Sequence, residues 1–116
     1  MINITGDTHG NQYKWVEQIE TFLSPSDIIL VCGDFGVGFW NGRYWSEDKF
    51  YDFLSEQEYI VLFIDGNHEN FEKLNSYPVE IWCGGKVHKI RNNVIHLMRG
   101  EVYCIEGNTI FVMSGG

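Results

Sequence analysis

Three apolar runs rich in β-branched residues constrain the fold of this chain more than any other feature. They span residues 1–5, 27–32 and 59–64, and each has the length and composition of a buried strand. Apolar residues at helical spacing separate them, at residues 11–23 and 46–57. This β-α-β-α-β order predicts a parallel sheet with right-handed crossovers, and therefore an α/β fold.

A short polar motif containing glycine follows each of the three runs. The motifs are Gly6-Asp7-Thr8-His9-Gly10, Gly33-Asp34-Phe35-Gly36 and Gly66-Asn67-His68-Glu69. Ligands of parallel α/β sheets bind beyond the carboxyl ends of the strands, so we expect the three motifs to meet at one edge. Carboxylate, imidazole and amide oxygen are ligands for divalent metals. Each motif by itself also suits an ordinary turn stabilised by an aspartate or asparagine side chain.

The last third of the chain consists of short extended segments separated by turn residues. They follow a short helix near residues 70–74 and span residues 79–82, 86–90, 94–97, 102–105 and 109–113. Gly107-Asn108 predicts a tight hairpin between the last two. We expect residues 1–116 to form a single domain. Two glycines directly after the last strand lead us to expect that this domain is incomplete and continues in a longer protein.

Composition limits the partners and the location of the protein. A net charge of -8 argues against a broad nucleic-acid surface and against an anionic membrane surface. The chain has no apolar run long enough to span a membrane and no signal peptide, so a cytoplasmic protein is expected. Its 3 cysteines are odd in number and far apart, which predicts buried, reduced thiols.

Taken together, the three polar motifs resemble those of the calcineurin-like metallophosphoesterases. The first motifs of that family read D-x-H, G-D and G-N-H-[D/E]. Here they stand in the same order, one β-α unit apart, as Asp7-Thr8-His9, Gly33-Asp34 and Gly66-Asn67-His68-Glu69. The motifs cover residues 1–70, and the rest of the chain has a compatible pattern. The resemblance implies the amino-terminal half of a metallophosphoesterase-type β-sandwich flanked by helices, followed by short strands.

The same resemblance implies a site for two divalent metal ions. Asp7 and His9 would bind the first ion. Asp34 would bridge both ions, and Asn67 would bind the second. His68 would be catalytic, because it would stabilise the transferring phosphoryl group or protonate the leaving oxygen. The ions would be Mn, Fe, Zn, Ni or Mg, with Mn expected to serve best in vitro.

The later motifs of the family are a lone histidine and then a G-H-x-H. This sequence lacks them. The remaining histidines, His88 and His96, lie in strand-like segments where a structural or exposed role is expected. Two functions stay open. The chain is either the amino-terminal portion of a metal-dependent phosphoesterase or a catalytically inactive, truncated domain that acts through binding. Apolar surface left uncovered by a missing half would favour self-association.

Two further features allow alternative interpretations. The loop of residues 36–45 is rich in aromatic residues and follows Asp34 directly. It is either a lid that contacts a nucleotide-like phosphate ester through Trp40, Arg43 and Tyr44, or a loop that packs its rings on the core. Glu69 either orients His68 or an adjacent loop, or is a solvated or helix-capping residue.

Overall fold

The computed structural model describes residues 2–6, 8–40, 45–66 and 69–113. Within these residues, the strands of the main sheet are β1 Ile2–Thr5, β2 Ile28–Cys32, β3 Ile60–Ile64, β4 Val79–Trp82, β5 Gly85–Arg91 and β6 Val94–Leu97. They lie in the order β1-β2-β3-β6-β5-β4. The first three strands and β6 run parallel, whereas β4 and β5 are antiparallel to their neighbours. The predicted α/β class and parallel sheet are therefore confirmed.

Helices connect the parallel strands at the predicted places. The helices are α1 Gln12–Lys14, which continues through a π-helical turn at Trp15–Ile19 and a 3₁₀ turn at Glu20–Phe22, then α2 Glu47–Ser55 and α3 Phe71–Asn75. The three α-helices begin after a residue whose side-chain oxygen accepts a backbone N–H of the first turn. These capping residues are Asn11, Ser46 and Asn70. Polar caps thus set where each helix leaves its strand-end loop.

The central strands of the main sheet are buried on both faces. Helices cover one face, where Trp15, Phe35 and Phe50 are fully buried and the ring centroid of Phe35 lies 4.2 Å from that of Phe63. A hairpin of β7 Val102–Ile105 and β8 Asn108–Phe111 supplies buried side chains to the other face. Cover on both faces fixes the central strands β2 and β3, and with them the loops at their carboxyl ends.

The β7–β8 hairpin confirms the predicted hairpin but shifts its turn by one residue. Glu106 and Gly107 form the turn, with φ angles of 49° and 79°. Positive φ at both central residues is the signature of a type I′ turn, one of the two turn types that match the right-handed twist of the strands. Glycine therefore occupies the second turn position, and Asn108 already belongs to β8.

The exposure of side chains corrects one expectation and bears on a second. Cys32, Cys83 and Cys104 are exposed, so the prediction of buried thiols was wrong. Ile4 on the edge strand β1 is 72% exposed, and Ile81 on the opposite edge strand β4 is 69% exposed. Apolar surface at both edges agrees with the self-association hypothesis, which stays a prediction. The helices of the described residues are all too short or too polar to cross a membrane.

Candidate functional site

Backbone hydrogen bonds join the loops that follow β1 and β2. The carbonyl oxygen of Asp34 accepts the N–H groups of Thr8 (3.2 Å) and His9 (2.8 Å). The carbonyl oxygen of Phe35 accepts the N–H of Gly10 (3.0 Å) and the hydroxyl of Thr8 (2.8 Å). The first two polar motifs therefore lie side by side, as expected for the ends of neighbouring parallel strands.

The side chains of His9 and Asp34 face each other across these two loops. His9 Nδ1 lies 3.9 Å from Asp34 Oδ2, and the two side chains are 55% and 12% exposed. Both residues adopt left-handed backbone conformations, with φ angles of 51° and 44°. Such conformations are strained for residues other than glycine and cluster at functional sites. The His9 imidazole and the Asp34 carboxylate are thus held close together, with the imidazole accessible to solvent.

The loop that follows β3 packs directly against Asp34. The Gly33 N–H donates to the carbonyl oxygen of Ile64, which ties the second loop to the end of β3 (3.1 Å). A Cβ atom at Gly66 would lie 2.1 Å from Asp34 Oδ1 and 2.3 Å from Asp34 N. Only a residue without a side chain fits there. The third motif therefore begins in contact with the carboxylate of the second.

Glu69 fixes the backbone around this contact. Its carboxylate is buried, with the residue 6% exposed, and accepts four backbone N–H groups. Oε1 accepts from Gly36 (2.7 Å) and Val37 (2.8 Å), whereas Oε2 accepts from Phe35 (2.9 Å) and Gly66 (3.1 Å). Burial raises the pKa of the Glu69 carboxyl, and the four donors oppose the rise by stabilising the ionised form. Of the roles that the sequence allows for Glu69, the orientation of an adjacent loop fits these four hydrogen bonds.

A second buried network, which no sequence motif predicted, begins at Asp65. This residue directly follows β3 and is 3% exposed. Its Oδ1 lies 2.8 Å from His96 Nε2, and its Oδ2 lies 2.6 Å from Arg99 Nη2. His96 Nδ1 lies 3.0 Å from His88 Nδ1, and the two rings are stacked. The expected structural role of both histidines agrees with these contacts. The available sequence signal was the position of Asp65 at a strand exit, before the third motif.

The network favours a definite charge distribution. Although burial raises the pKa of the Asp65 carboxyl, hydrogen bonds from His96 and Arg99 hold this pKa below its usual range. Burial, together with the neighbouring His96, lowers the pKa of His88. An ionised Asp65 beside the Arg99 guanidinium and a neutral His88 is therefore the preferred state.

Of the predicted site residues, His9, Asp34 and Trp40 fall within the described part of the chain. The structure brings His9 and Asp34 together. The others lie outside the described residues; they are Asp7, Arg43, Tyr44, Asn67 and His68. Among residues 2–6, 8–40, 45–66 and 69–113, no three histidine, cysteine, aspartate or glutamate side chains form a group that could hold a metal ion. The complete ligand set thus stays a prediction, because two of its four members are not described.

The aromatic loop contributes to the core rather than to an open surface at Trp40. This residue is 5% exposed, and its ring centroid lies 4.9 Å from that of Phe35 and 4.5 Å from that of Phe50. Trp45 stacks on Phe53 at 4.5 Å. These contacts favour core packing for Trp40 over the lid interpretation. The contacts of Trp40 with Phe50 and of Trp45 with Phe53 also attach the loop that follows Asp34 to α2.

Comparison with protein families decides which class of protein this is. The family model of the calcineurin-like phosphoesterases matches residues 1–116. The chain belongs to this family. A search of curated proteins and a search of solved structures found no match to this phosphoesterase chain. The suspected resemblance is confirmed, and the mixed α/β architecture is that of a partial metallophosphoesterase fold.

The tight contact at Gly66 makes a first testable prediction for this metallophosphoesterase. In Gly66→Ala, the new methyl group would collide with the backbone nitrogen of Asp34. A backbone atom cannot rotate away as a side chain could. We expect unfolding to require about 2 kcal/mol less free energy, as for overpacked cores, measured by urea denaturation. Gly6→Ala is the control, since a Cβ there meets no atom of the described residues within 4 Å. Equal stability of the two variants would contradict the contact.

Proposed function

We propose that this metallophosphoesterase hydrolyses phosphate esters with two divalent metal ions held at the ends of β1, β2 and β3. The pairing of His9 with Asp34 is the observation that carries the proposal. These side chains come from separate strand ends, face each other at 3.9 Å and are held by strained, hydrogen-bonded backbone. A strained backbone at a solvent-accessible imidazole–carboxylate pair fits a binding site better than an ordinary turn.

The donor chemistry fits divalent ions. In this proposal Asp7 and His9 hold one ion, Asp34 bridges both, and Asn67 holds the other. Asn67 is adjacent in sequence to Gly66, which packs on the Asp34 carboxylate and so supports its placement near that group. When bound, the two ions supply electrophilic stabilisation of phosphoryl oxygens and a water nucleophile at neutral pH. Manganese is the ion we expect to serve best in vitro.

The protein's own residues then have separate tasks. The negative charge of the Asp34 carboxylate would reduce the repulsion between the two cations. Glu69 keeps Asp34 in place through the backbone of residues 35–37 and Gly66. His68, next to Asn67 in sequence, protonates the leaving oxygen of the ester. Arg43 and Tyr44 contact the phosphate ester from the loop that follows Asp34. We also propose a cytoplasmic location.

Metal-dependent hydrolysis of bis(p-nitrophenyl) phosphate by this chain tests the proposal. We expect release of p-nitrophenol in the presence of Mn²⁺, loss of release after chelation, and recovery when Mn²⁺ is restored. The same assay with Fe²⁺, Zn²⁺, Ni²⁺ and Mg²⁺ compares the other candidate ions. A folded chain that binds these ions but releases no product with any of them would favour the alternative, a catalytically inactive domain that acts through binding.

Replacement of His68 separates a catalytic role from a metal-binding role. In His68→Ala we expect kcat to fall by about 10²- to 10⁴-fold, the usual contribution of a general acid. The metal content of the purified variant should stay nearly unchanged, because the proposal gives His68 no bond to either ion. Elemental analysis beside the kinetic assay provides both values. A large loss of bound metal would instead make His68 a ligand.

A further inference from the structure

Two exposed cysteines, Cys83 and Cys104, lie next to each other on different hairpins. Cys83 belongs to the turn between β4 and β5, and Cys104 lies on β7. The N–H of Cys104 donates to the carbonyl oxygen of Cys83 (2.9 Å). Standard bond lengths keep the Cα atoms of two residues joined in this way roughly 5–6.5 Å apart. Disulfides join Cα atoms about 4.4–6.8 Å apart, so the backbone at this place suits a disulfide.

The two thiols also influence each other's ionisation. Partial burial raises the pKa of the Cys83 thiol. The neighbouring Cys104 raises this pKa further, because a thiolate at Cys104 disfavours a second negative charge nearby. The side chains of the two cysteines, and not only their backbones, are therefore close to each other.

Contacts beside the two cysteines hold the β4–β5 turn against β7. A Cβ atom at Gly85 would lie 2.6 Å from Tyr103 Cε1 and 3.0 Å from the carbonyl oxygen of Val102, so the backbone of the turn lies directly on β7. The Tyr103 hydroxyl donates to the carbonyl oxygen of Lys86. The Lys86 N–H donates to the Glu101 carboxylate (2.7 Å). The fold thus sets the separation of the cysteines before any bond forms between them, which gives the two thiols a high effective concentration.

We propose that Cys83 and Cys104 form a dithiol that glutathione disulfide oxidises to an intramolecular disulfide. One cysteine loses its proton, and its thiolate attacks a sulfur of glutathione disulfide. The S–S bond of glutathione disulfide breaks, and one glutathione leaves as a thiolate that takes up a proton. The second cysteine then loses its proton and attacks the protein sulfur of the mixed disulfide, which releases the second glutathione. Two electrons pass from the cysteine pair to glutathione disulfide.

The cross-link would join the main sheet to the β7–β8 hairpin, which covers one face of the central strands. It closes a loop that contains β5 and β6. Both cysteines are exposed, so small thiols and disulfides can reach them. Exposed disulfides are in general the labile ones, which reductants open again. Oxidation therefore fastens the hairpin to the sheet, and reduced glutathione releases this bond.

Peptide mapping after oxidation tests the proposal. The reduced chain is incubated with glutathione disulfide, the remaining thiols are alkylated in denaturant, and the chain is cleaved with trypsin. Cleavage places the three cysteines in separate peptides, which span residues 15–43, 74–86 and 100–116. We expect the peptides of residues 74–86 and 100–116 to be cross-linked. Glutathione bound to these two peptides without a cross-link would overturn the proposal. The mixture contains neither metal nor phosphate ester, so the result does not depend on the proposed phosphoesterase function.

Serine variants identify the two sulfurs of the cross-link. Cys32 ends β2, which is three strand positions from β5 in the sheet. Three strand spacings amount to about 14 Å, too far for a disulfide with the β4–β5 turn. Cys32→Ser is therefore the matched control and should keep the cross-link. Cys83→Ser should abolish the cross-link and leave Cys104 bound to glutathione. A cross-link that includes Cys32 in the wild-type chain would contradict the pairing.

The cross-link should also stabilise the folded chain. The loop that it closes is about 20 residues long, and a cross-link of this span restricts the unfolded chain. Oxidation should raise the Tm of the wild-type chain and of Cys32→Ser by roughly 10 °C, and leave that of Cys83→Ser nearly unchanged. The Cys83 backbone has a φ of 50°, which serine adopts no more easily and no less easily than cysteine, so this variant keeps the turn comparable.

The same linkage predicts that folding favours the disulfide. The equilibrium constant for oxidation by glutathione disulfide should be at least tenfold larger for the folded chain than for the chain unfolded in urea. Mixtures of reduced and oxidised glutathione at fixed ratios, quenched with acid and mapped as above, give both constants. Equal constants in the folded and unfolded chain would show that the fold does not hold the two thiols ready to bond, and would overturn the proposal.

Discussion

Glu69→Gln should lower the free energy of unfolding by about 3 kcal/mol, which corresponds to a fall in Tm of roughly 12 °C for a domain of this size. Each oxygen of the carboxylate accepts two backbone N–H groups. An amide in either orientation would turn its NH₂ group towards two donors. Two buried N–H groups would lose their acceptor, and the positive charge on the amide hydrogens would repel them.

Glu72→Gln is the matched control for this substitution. Glu72 is exposed in the first turn of α3, where loss of its charge should cost no more than a few tenths of a kcal/mol from the helix dipole. Thermal unfolding of both variants by circular dichroism gives the comparison. Metal affinity in Glu69→Gln should also fall, because the backbone next to Asp34 loses its anchor. If the two variants unfold at the same temperature, Glu69 does not hold the loops together.

Asp34→Asn should abolish both hydrolysis and most metal binding while the fold survives. The backbone carbonyl of Asp34, which joins the first two loops, is unchanged in this variant. What is lost is the negative charge that the proposal places between two cations. Loss of several kcal/mol of transition-state stabilisation corresponds to a fall in kcat/KM of about a thousand-fold. Elemental analysis and the bis(p-nitrophenyl) phosphate assay measure the two losses.

The appropriate control is the same substitution at an exposed aspartate. The Asp48 side chain is 72% exposed and lies 3.8 Å from Lys73 Nζ in a surface ion pair. Asp48→Asn should leave metal content, activity and circular dichroism unchanged, because exposed ion pairs contribute little. Retention of both metal and activity in Asp34→Asn would show that Asp34 does not bridge the ions and would remove the basis of the proposed function.

The sequence predicted which segments form strands and helices better than it predicted which strands pair with each other. The central strands were evident because a short, unbroken apolar run rich in β-branched residues is typical of a strand with both faces covered, as found for β2 and β3. The pairing of β3 with β6 was not predicted, since residues 94–97 follow two intervening strands. Local pattern determines whether a segment is extended, but the partner of a parallel strand depends on the packing of the whole sheet.

The proximity of the described candidate residues was predictable where their positions at strand ends decide it, and not where loop conformation decides it; their roles stay predictions. His9 and Asp34 followed from their positions after parallel strands. Three of the four bonds to Glu69 depend on the turn at residues 35–37, where Gly36 has a φ of 112°, and no sequence pattern specifies that geometry. The contact between His88 and His96 depends on the register of β5 and β6, which changes at an irregularity between Lys89 and Arg91. Such long-range details arise only in the assembled fold.

The position of β6 in the middle of the sheet also affects how the chain is made. During synthesis from the amino terminus, β3 can pair with β2 as soon as both have emerged from the ribosome. Its other edge stays open until residues 94–97 have also emerged, some thirty residues later. An apolar strand with an unpaired edge is a template for association with other chains. The time needed to synthesise residues 65–97 is therefore an interval in which the nascent chain is exposed to misassembly through the open edge of β3.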